Sequence, residues 1–289
     1  MKVFYHTDLD GIASAEIINY YNRQQGVTEI INFYSINYKD KFPIEKIKSM
    51  EVVYVVDFSL SERDFDSLLE ITNNVVWIDH HKSAIETLGR KYNYLQGIRE
   101  DGRAGCVLTW AYFYGNTIPL PPVIDMLGAY DVWDFSKHGD DLNKLQCGIR
   151  LDDHSPDNYA FWKEIIEYDY RLKDIIKMGE IALIYRNNQY SSIIKGWSFI
   201  AEFEGFKAVC CNVGSVSSQL FDSVKESYDL MMPFVFDGSQ WTVSIYTKRD
   251  DIDCSELAKK YGGGGHRKAS GFQCKELPIK CNKPIERIK

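Results

Sequence analysis

Three short stretches of this chain carry side chains that bind metal ions. His6-Thr7-Asp8-Leu9-Asp10-Gly11 follows the apolar run Val3-Phe4-Tyr5; Asp57 ends the run Val52 to Val56; Asp79-His80-His81 ends Val75 to Ile78. On an extended strand end, alternate residues share a face, so His6, Asp8 and Asp10 can converge on one ion. Carboxylates and imidazoles together suit hard or borderline divalent ions such as Mn²⁺, Fe²⁺, Mg²⁺ or Zn²⁺. Each stretch also has a plainer reading. The first could be a polar turn with a helix cap, Asp57 could cap the helix that follows, and Asp79-His80-His81 alone decides nothing.

The surrounding pattern says where these residues would sit. The N-terminal half alternates apolar runs with helical segments. Strands are expected at Val3 to Tyr5, Ile30 to Tyr34, Tyr54 to Phe58 and Val75 to Ile78. Helices are expected at Ile12 to Tyr21, Ser61 to Ile71 with Ser59 or Ser61 as N-cap, Ala104 to Tyr114, and Val123 to Tyr130. Repeated β-α units predict an α/β fold with a mainly parallel sheet flanked by helices. Ligands of such sheets bind at the carboxyl ends of the strands, where these His and Asp residues fall. From Asp157 to Tyr190 the spacing of Phe161, Ile165, Ile166, Leu172, Ile175, Ile176 and Ile181 predicts a helical connection. After Gly196 the texture turns to strands, with one helix at Cys254 to Tyr261. The expected organisation is a catalytic domain over 1–152, a helical linker over 153–192 and a smaller α/β domain over 193–289.

Bulk properties exclude several classes. With 45% hydrophobic and 26% charged residues the chain is an ordinary globular one. A net charge of −7 argues against a tightly held long duplex nucleic acid. No apolar run approaches the roughly 18 residues of a membrane span. Met1-Lys2 leads straight into the first strand, leaving no room for a signal peptide. The seven cysteines include no C-x-x-C pair, which fits a reduced, cytoplasmic setting.

Taken in order, His6-x-Asp8-x-Asp10-Gly11, Asp57, Asp79-His80-His81 and Asp131 resemble the motifs of the DHH phosphoesterase superfamily. The tail Gly262-Gly263-Gly264-Gly265-His266-x-x-Ala269-x-Gly271 is similar to the glycine-rich motif of its DHHA1 domain. Size and layout are most like the nanoRNase and pAp-phosphatase branch. The resemblance covers roughly residues 1–135 and 195–275. It implies two divalent ions, commonly Mn²⁺, with His6, Asp8 and Asp57 on one and Asp10, Asp57, His80 and Asp131 on the other. Asp57 would bridge ions about 3.5–4 Å apart, and a metal-activated hydroxide would attack phosphorus. His81 is implied as the substrate contact or proton donor, and Asp79 as a residue orienting a metal ligand or His81, its plainer reading being a structural hydrogen bond. Asp134 competes with Asp131 for the fourth motif. In the nanoRNase branch the first His usually stands four residues before the first Asp; His6 stands two before Asp8. That departure leaves the choice among Mn²⁺, Fe²⁺ and Mg²⁺ open.

Other residues suit a phosphate. Gly263, Gly264 and Gly265 offer unhindered backbone amides, with His266 beside them, although a glycine run can also be a plain flexible turn. Arg249 and Lys248 follow a strand and could enter the same cleft or be surface charge. Arg103 precedes a buried helix and could meet a phosphate at its N-terminus. Among 19 tyrosines, no base-stacking residue stands out. The expected function is a metal-dependent phosphohydrolase acting on small nucleotides or very short oligonucleotides, without a membrane partner and with a homodimer left open. The alternatives are a pyrophosphatase or exopolyphosphatase type of hydrolase and a non-catalytic nucleotide-binding module.

Overall fold

The computed structural model describes residues 1–38, 40–115, 118–265 and 267–279. They fall into two compact units, Met1–Leu183 and Ile184–Lys289. The first is built on four parallel strands: β1 (Lys2–His6), β2 (Asn32–Ile36), β3 (Val53–Val56) and β4 (Val75–Ile78). Their order is β2-β1-β3-β4. The chain therefore leaves β1 in one direction to reach β2 and returns across it to reach β3. β1 and β3 flank the switch point, and a crevice opens beyond the carboxyl ends of strands at such a point.

Both faces of this sheet are buried, as the near-continuous apolar strands require. Val3, Tyr5, Val56, Val76 and Ile78 point to one face. Phe4, Val53, Val55, Val75 and Trp77 point to the other. On the first face lie α1 (Leu9–Gln24), α4 (Gly105–Tyr114), α5 (Pro122–Asp131), α6 (Asp141–Ile149), α7 (Tyr159–Glu167) and the start of α8 (Asp169–Trp197). On the second lie α2 (Glu62–Ile71) and α3 (Lys82–Leu88), with Phe65, Leu68 and Leu88 buried against the sheet.

Several boundaries differ from those read in sequence. The second strand starts two residues later, because Asn32 pairs with Lys2 while Ile30 stays 78% exposed. The long helical stretch is two helices broken at Tyr168, whose backbone is extended. Phe161, Trp162, Ile165, Leu172 and Ile175 join the core of the first unit. α3 and α6 were not anticipated, although Leu142, Leu145 and Ile149 of α6 recur at helical spacing.

The second unit holds β5 (Ser198–Phe203), β6 (Phe206–Asn212), β7 (Leu230–Phe236), β8 (Trp241–Tyr246), α9 (Cys254–Lys259), β9 (Gly264–Gly265) and β10 (Ala269–Cys274). The strand order is β5-β6-β7-β8-β10-β9. Only β6 and β7 run parallel among the named strand pairs. Cys210 and Cys211 are buried on opposite faces of β6, in separate cores. No helix among the described residues is long and apolar enough to cross a membrane.

One buried acid lies away from the strand ends. Glu16 on α1 is wholly buried. Its Oε2 accepts a hydrogen bond from Asn19 Nδ2 at 2.9 Å, and its Oε1 has no partner. Burial, against the opposing effects of Asn19 and Arg23, pushes its carboxyl up to about 9. Below the unfolded value of 4.5 the folded and unfolded chains are both protonated and nothing is lost. As pH rises toward 9 the fold must keep a proton that the unfolded chain has released, so stability falls across that window. Glu16→Gln removes the proton requirement. Urea unfolding should show the variant about 2–4 kcal/mol more stable at pH 8, with the gain vanishing near pH 4. A gain independent of pH would refute the assignment.

Candidate metal centre

Strand ends deliver the cluster. His6 is the last residue of β1, and Asp57 directly follows β3 with φ +50°, a left-handed conformation that Asp tolerates better than most residues. Asp8 caps α1, its Oδ1 accepting the Gly11 amide at 3.0 Å, while its Oδ2 lies 2.7 Å from His6 Nδ1. The capping reading and the metal reading of Asp8 therefore coexist, one oxygen for each. His6 Nδ1 is 3.9 Å from Asp57 Oδ2. His80 Nε2 is 3.1 Å from Asp57 Oδ1, 3.4 Å from Asp131 Oδ2 and 3.8 Å from Asp10 Oδ2. Two donor groups result, His6-Asp8-Asp57 and Asp10-His80-Asp131, each with ligand atoms close enough to surround one ion. Asp57 also forms such a group with His80 and His81.

The acids are held in different ways. Asp10 is buried, and both its oxygens accept from the first turn of α4: Gly105 N at 2.6 Å and Cys106 N at 2.8 Å. A helix N-terminus is where a carboxylate is best tolerated. The approach is so close that a Cβ on Gly105 would sit 2.7 Å from Asp57 Cβ and 3.0 Å from Asp10 Oδ2. Gly11 is equally confined, since a Cβ there would lie 2.1 Å from the His6 carbonyl oxygen. The glycine after Asp10 serves this close packing.

Asp57 is the exception. It is 1% exposed, and neither carboxylate oxygen has a hydrogen-bond partner. Burial and the charges of Asp10, Asp8, Asp131 and Asp79 push its pKa well above the usual carboxylate range. Burial, with Asp10 and Asp8, likewise raises Asp131 to about 8. Asp8 goes the other way: burial would raise it, but His6 and the Gly11 amide outweigh burial and hold it at about 2. His80 is lowered, mainly by burial, which favours the neutral imidazole that ligates metals. A bare, buried carboxylate among like charges fits a divalent cation, which would supply the missing partner and relieve the repulsion.

Behind the cluster, Asp79 is fully buried and its Oδ1 accepts from His81 Nδ1 at 2.7 Å and from the His80 amide at 2.8 Å. Its Oδ2 accepts from Ser59 Oγ, and Ser59 Oγ accepts from Trp77 Nε1 at 3.1 Å. Burial opposes ionisation of Asp79, but the His81 and Ser59 hydrogen bonds prevail and its pKa is lowered. An ionised Asp79 can only accept, so His81 Nδ1 donates. Burial pulls the His81 pKa down, but the hydrogen bond and charge of Asp79 outweigh it and the net shift is upward. Ser59 is thus a partner of Asp79, and Ser61 caps α2 through Asp64 N at 3.1 Å.

Other anticipated residues fall on other elements. Asp134 is turned into its own loop, accepting from the Ser136 amide at 3.0 Å, while Asp131 faces His80. Arg103 pairs with Glu100 at 3.2 Å on the surface. In the second unit Arg249 is engaged by Asp229 and Asp251, and Lys248 lies 3.4 Å from Asp222. Gly264 and Gly265 form β9, paired with Gly271 and Ser270, and Gly263 precedes them. His266 lies outside the described residues. Sequence reasoning missed the α4 amides, the Trp77 indole and Tyr38, whose ring lies 6.2 Å from His6 and 5.9 Å from His81. Gly105 at the start of an apolar helix was the only signal for the first. Nothing in the sequence marked Tyr38.

No family model matches the chain. An uncharacterized protein of Acanthamoeba polyphaga mimivirus is 26% identical over 284 residues, 91% of this chain but only 64% of that relative's length. Oligoribonuclease NrnB of Bacillus subtilis is 23% identical over 295 residues, 93% of this chain and 71% of its own. Among solved structures, the DHH domain of a member of the s1p family of ribosomal proteins superposes with a TM-score of 0.62 at 14% identity. It covers 96% of this chain and 82% of that one. The chain has the α/β fold of DHH-domain proteins, as its ordered motifs implied.

Asn keeps the shape and the left-handed backbone of Asp57 but removes its charge. In chelator at pH 8, Asp57→Asn should melt above wild type, because the raised folded pKa makes the wild-type acid a burden that grows with pH. Mn²⁺ at 100 times its Kd should stabilise wild type by about 2.7 kcal/mol, several degrees in Tm, and the variant far less. Equal Mn²⁺ shifts in both proteins would remove Asp57 from the metal centre.

Proposed function

We propose that the protein is a metal-dependent phosphoesterase that hydrolyses phosphoester bonds of small nucleotides or very short oligonucleotides. The observation that carries this reading is the unpartnered, buried Asp57 carboxylate beside His80, with His81 held by Asp79 at the same rim. His6, Asp8 and Asp57 would hold one divalent ion, and Asp10, Asp57, His80 and Asp131 a second. When bound, such ions supply Lewis acidity, making a water more acidic and neutralising charge on the phosphoryl oxygens.

The chain's own residues do the rest. With Nδ1 committed to Asp79, His81 carries its mobile proton on Nε2. The Asp79 carboxylate at Nδ1 favours the protonated ring that a proton donor needs. Water adds to phosphorus and its proton passes to solvent, the P–O bond to the ester oxygen breaks, and His81 Nε2 protonates the departing oxygen and regains a proton from solvent. Asp79, clamped by Ser59 and the backbone amides, fixes the ring's orientation. The Gly263–Gly265 backbone of the second unit is the proposed phosphate-binding element of that unit. The net charge of −7 and the likeness to an oligoribonuclease favour short substrates over long duplexes. Manganese is the metal proposed.

Purified protein with Mn²⁺ should release mononucleotide from dinucleotides or phosphate from pAp. Release from pyrophosphate alone would transfer the reading to phosphoanhydride hydrolysis, and no release from any of these or from cyclic nucleotides would sink it. His81→Ala should lower kcat roughly 100- to 10,000-fold on dinucleotides. The loss should shrink sharply on a p-nitrophenyl ester, whose leaving group needs no proton. A loss equal on both esters would remove His81 from the acid role.

A further inference from the structure

Tyr38 lies in the turn after β2, and its ring packs beside the histidines of the cluster. Its ring packs on Phe58, with centroids 4.6 Å apart and planes 36° apart. Phe58 is itself buried and directly follows Asp57. The Tyr38 ring lies 5.9 Å from His81 at 78° and 6.2 Å from His6 at 49°. Despite these contacts, Tyr38 is 57% exposed. A large aromatic ring is thus fixed beside the histidines and still open to solvent.

The phenol is poorly suited to acid–base work. Burial of its hydroxyl and the charges of Asp79, Asp57 and Asp8 raise its pKa, so it stays protonated. What it offers is a flat apolar surface. A nucleotide carries its base one ribose away from its phosphorus, about the spacing between the ring and His81. Stacking needs no particular base, because every base has a π face.

We infer that Tyr38, supported from beneath by Phe58, is the stacking platform for the base of the nucleotide whose phosphate lies at the His81 rim. The inference rests on the nucleotide reading above but is tested by binding, so the two can fail separately. Calorimetry on the Mn²⁺-loaded protein should show AMP bound about tenfold more tightly than ribose 5-phosphate, the margin a base stack provides. Tyr38→Leu should remove that margin, Tyr38→Phe should retain it, and Tyr38→Trp should widen it. The inference is overturned if wild type shows no margin, if Leu weakens both ligands alike, or if neither the Leu nor the Trp variant moves the ratio. If dinucleotides are not cleaved while the margin behaves as stated, the catalytic reading falls and the platform stands.

Discussion

The first unit is organised around a carboxylate that has no hydrogen-bond donor. Asp57 stands at the switch point between β1 and β3, buried, with both oxygens bare. Such a group ordinarily acquires a donor or is replaced by an apolar residue, since an unmatched buried charge is among the most expensive features a fold can carry. Here three other carboxylates of the cluster and a histidine crowd it instead. The positive φ of Asp57 adds backbone strain at the same point. Strain, burial and like charge coincide where the sheet's crevice opens, and a cation answers two of the three.

The neighbouring acids show that the fold had the means to do otherwise. Asp10 receives both leading amides of α4, and Asp79 receives an imidazole, a hydroxyl and two amides. Those carboxylates are fixed in orientation, and the partners of Asp79 keep its pKa low. Their satisfaction is what makes the bareness of Asp57 informative. The glycines at 11 and 105 belong to the same scheme, because a side chain at either would push His6 or the α4 amides off their partners. The positioning of the acids is thus built into backbone packing, beyond the reach of side-chain adjustment.

Most of this centre was legible because strand ends are where sequence period and chemistry meet. An apolar run of four or five residues ending in Asp or His fixes both the strand and the direction its last side chain takes. His6, Asp57 and His80 were readable on those grounds, and their convergence followed once the sheet was parallel. The Asp79 clamp was half legible: its link to His81 follows from adjacency, but Ser59 and Trp77 reach it from another strand end and from within β4. Tyr38 was illegible, because a loop after an edge strand has no period to place it. Strand β10 was hidden by the glycine run before it, which read as a phosphate loop, though Ala269–Cys274 pairs with β8 across its length.

The same contrast between satisfied and unsatisfied groups bears on the second unit. Arg249 is a strong phosphate ligand by chemistry, yet Asp229 and Asp251 already neutralise it. Lys268 is likewise held by Asp250 and by the Arg249 carbonyl. A phosphate arriving there would have to displace carboxylates from guanidinium and ammonium, exchanging one ion pair for another with little net gain. The glycine run is engaged as well: the Gly262 and Gly263 amides donate to the Lys259 and Ala258 carbonyls at 3.0 Å, and Gly264 and Gly265 pair with β10. In the first unit the bare group is an acid that calls for a cation. In the second, Arg249 and Lys268 already have acids, so an anion there must displace an existing partner.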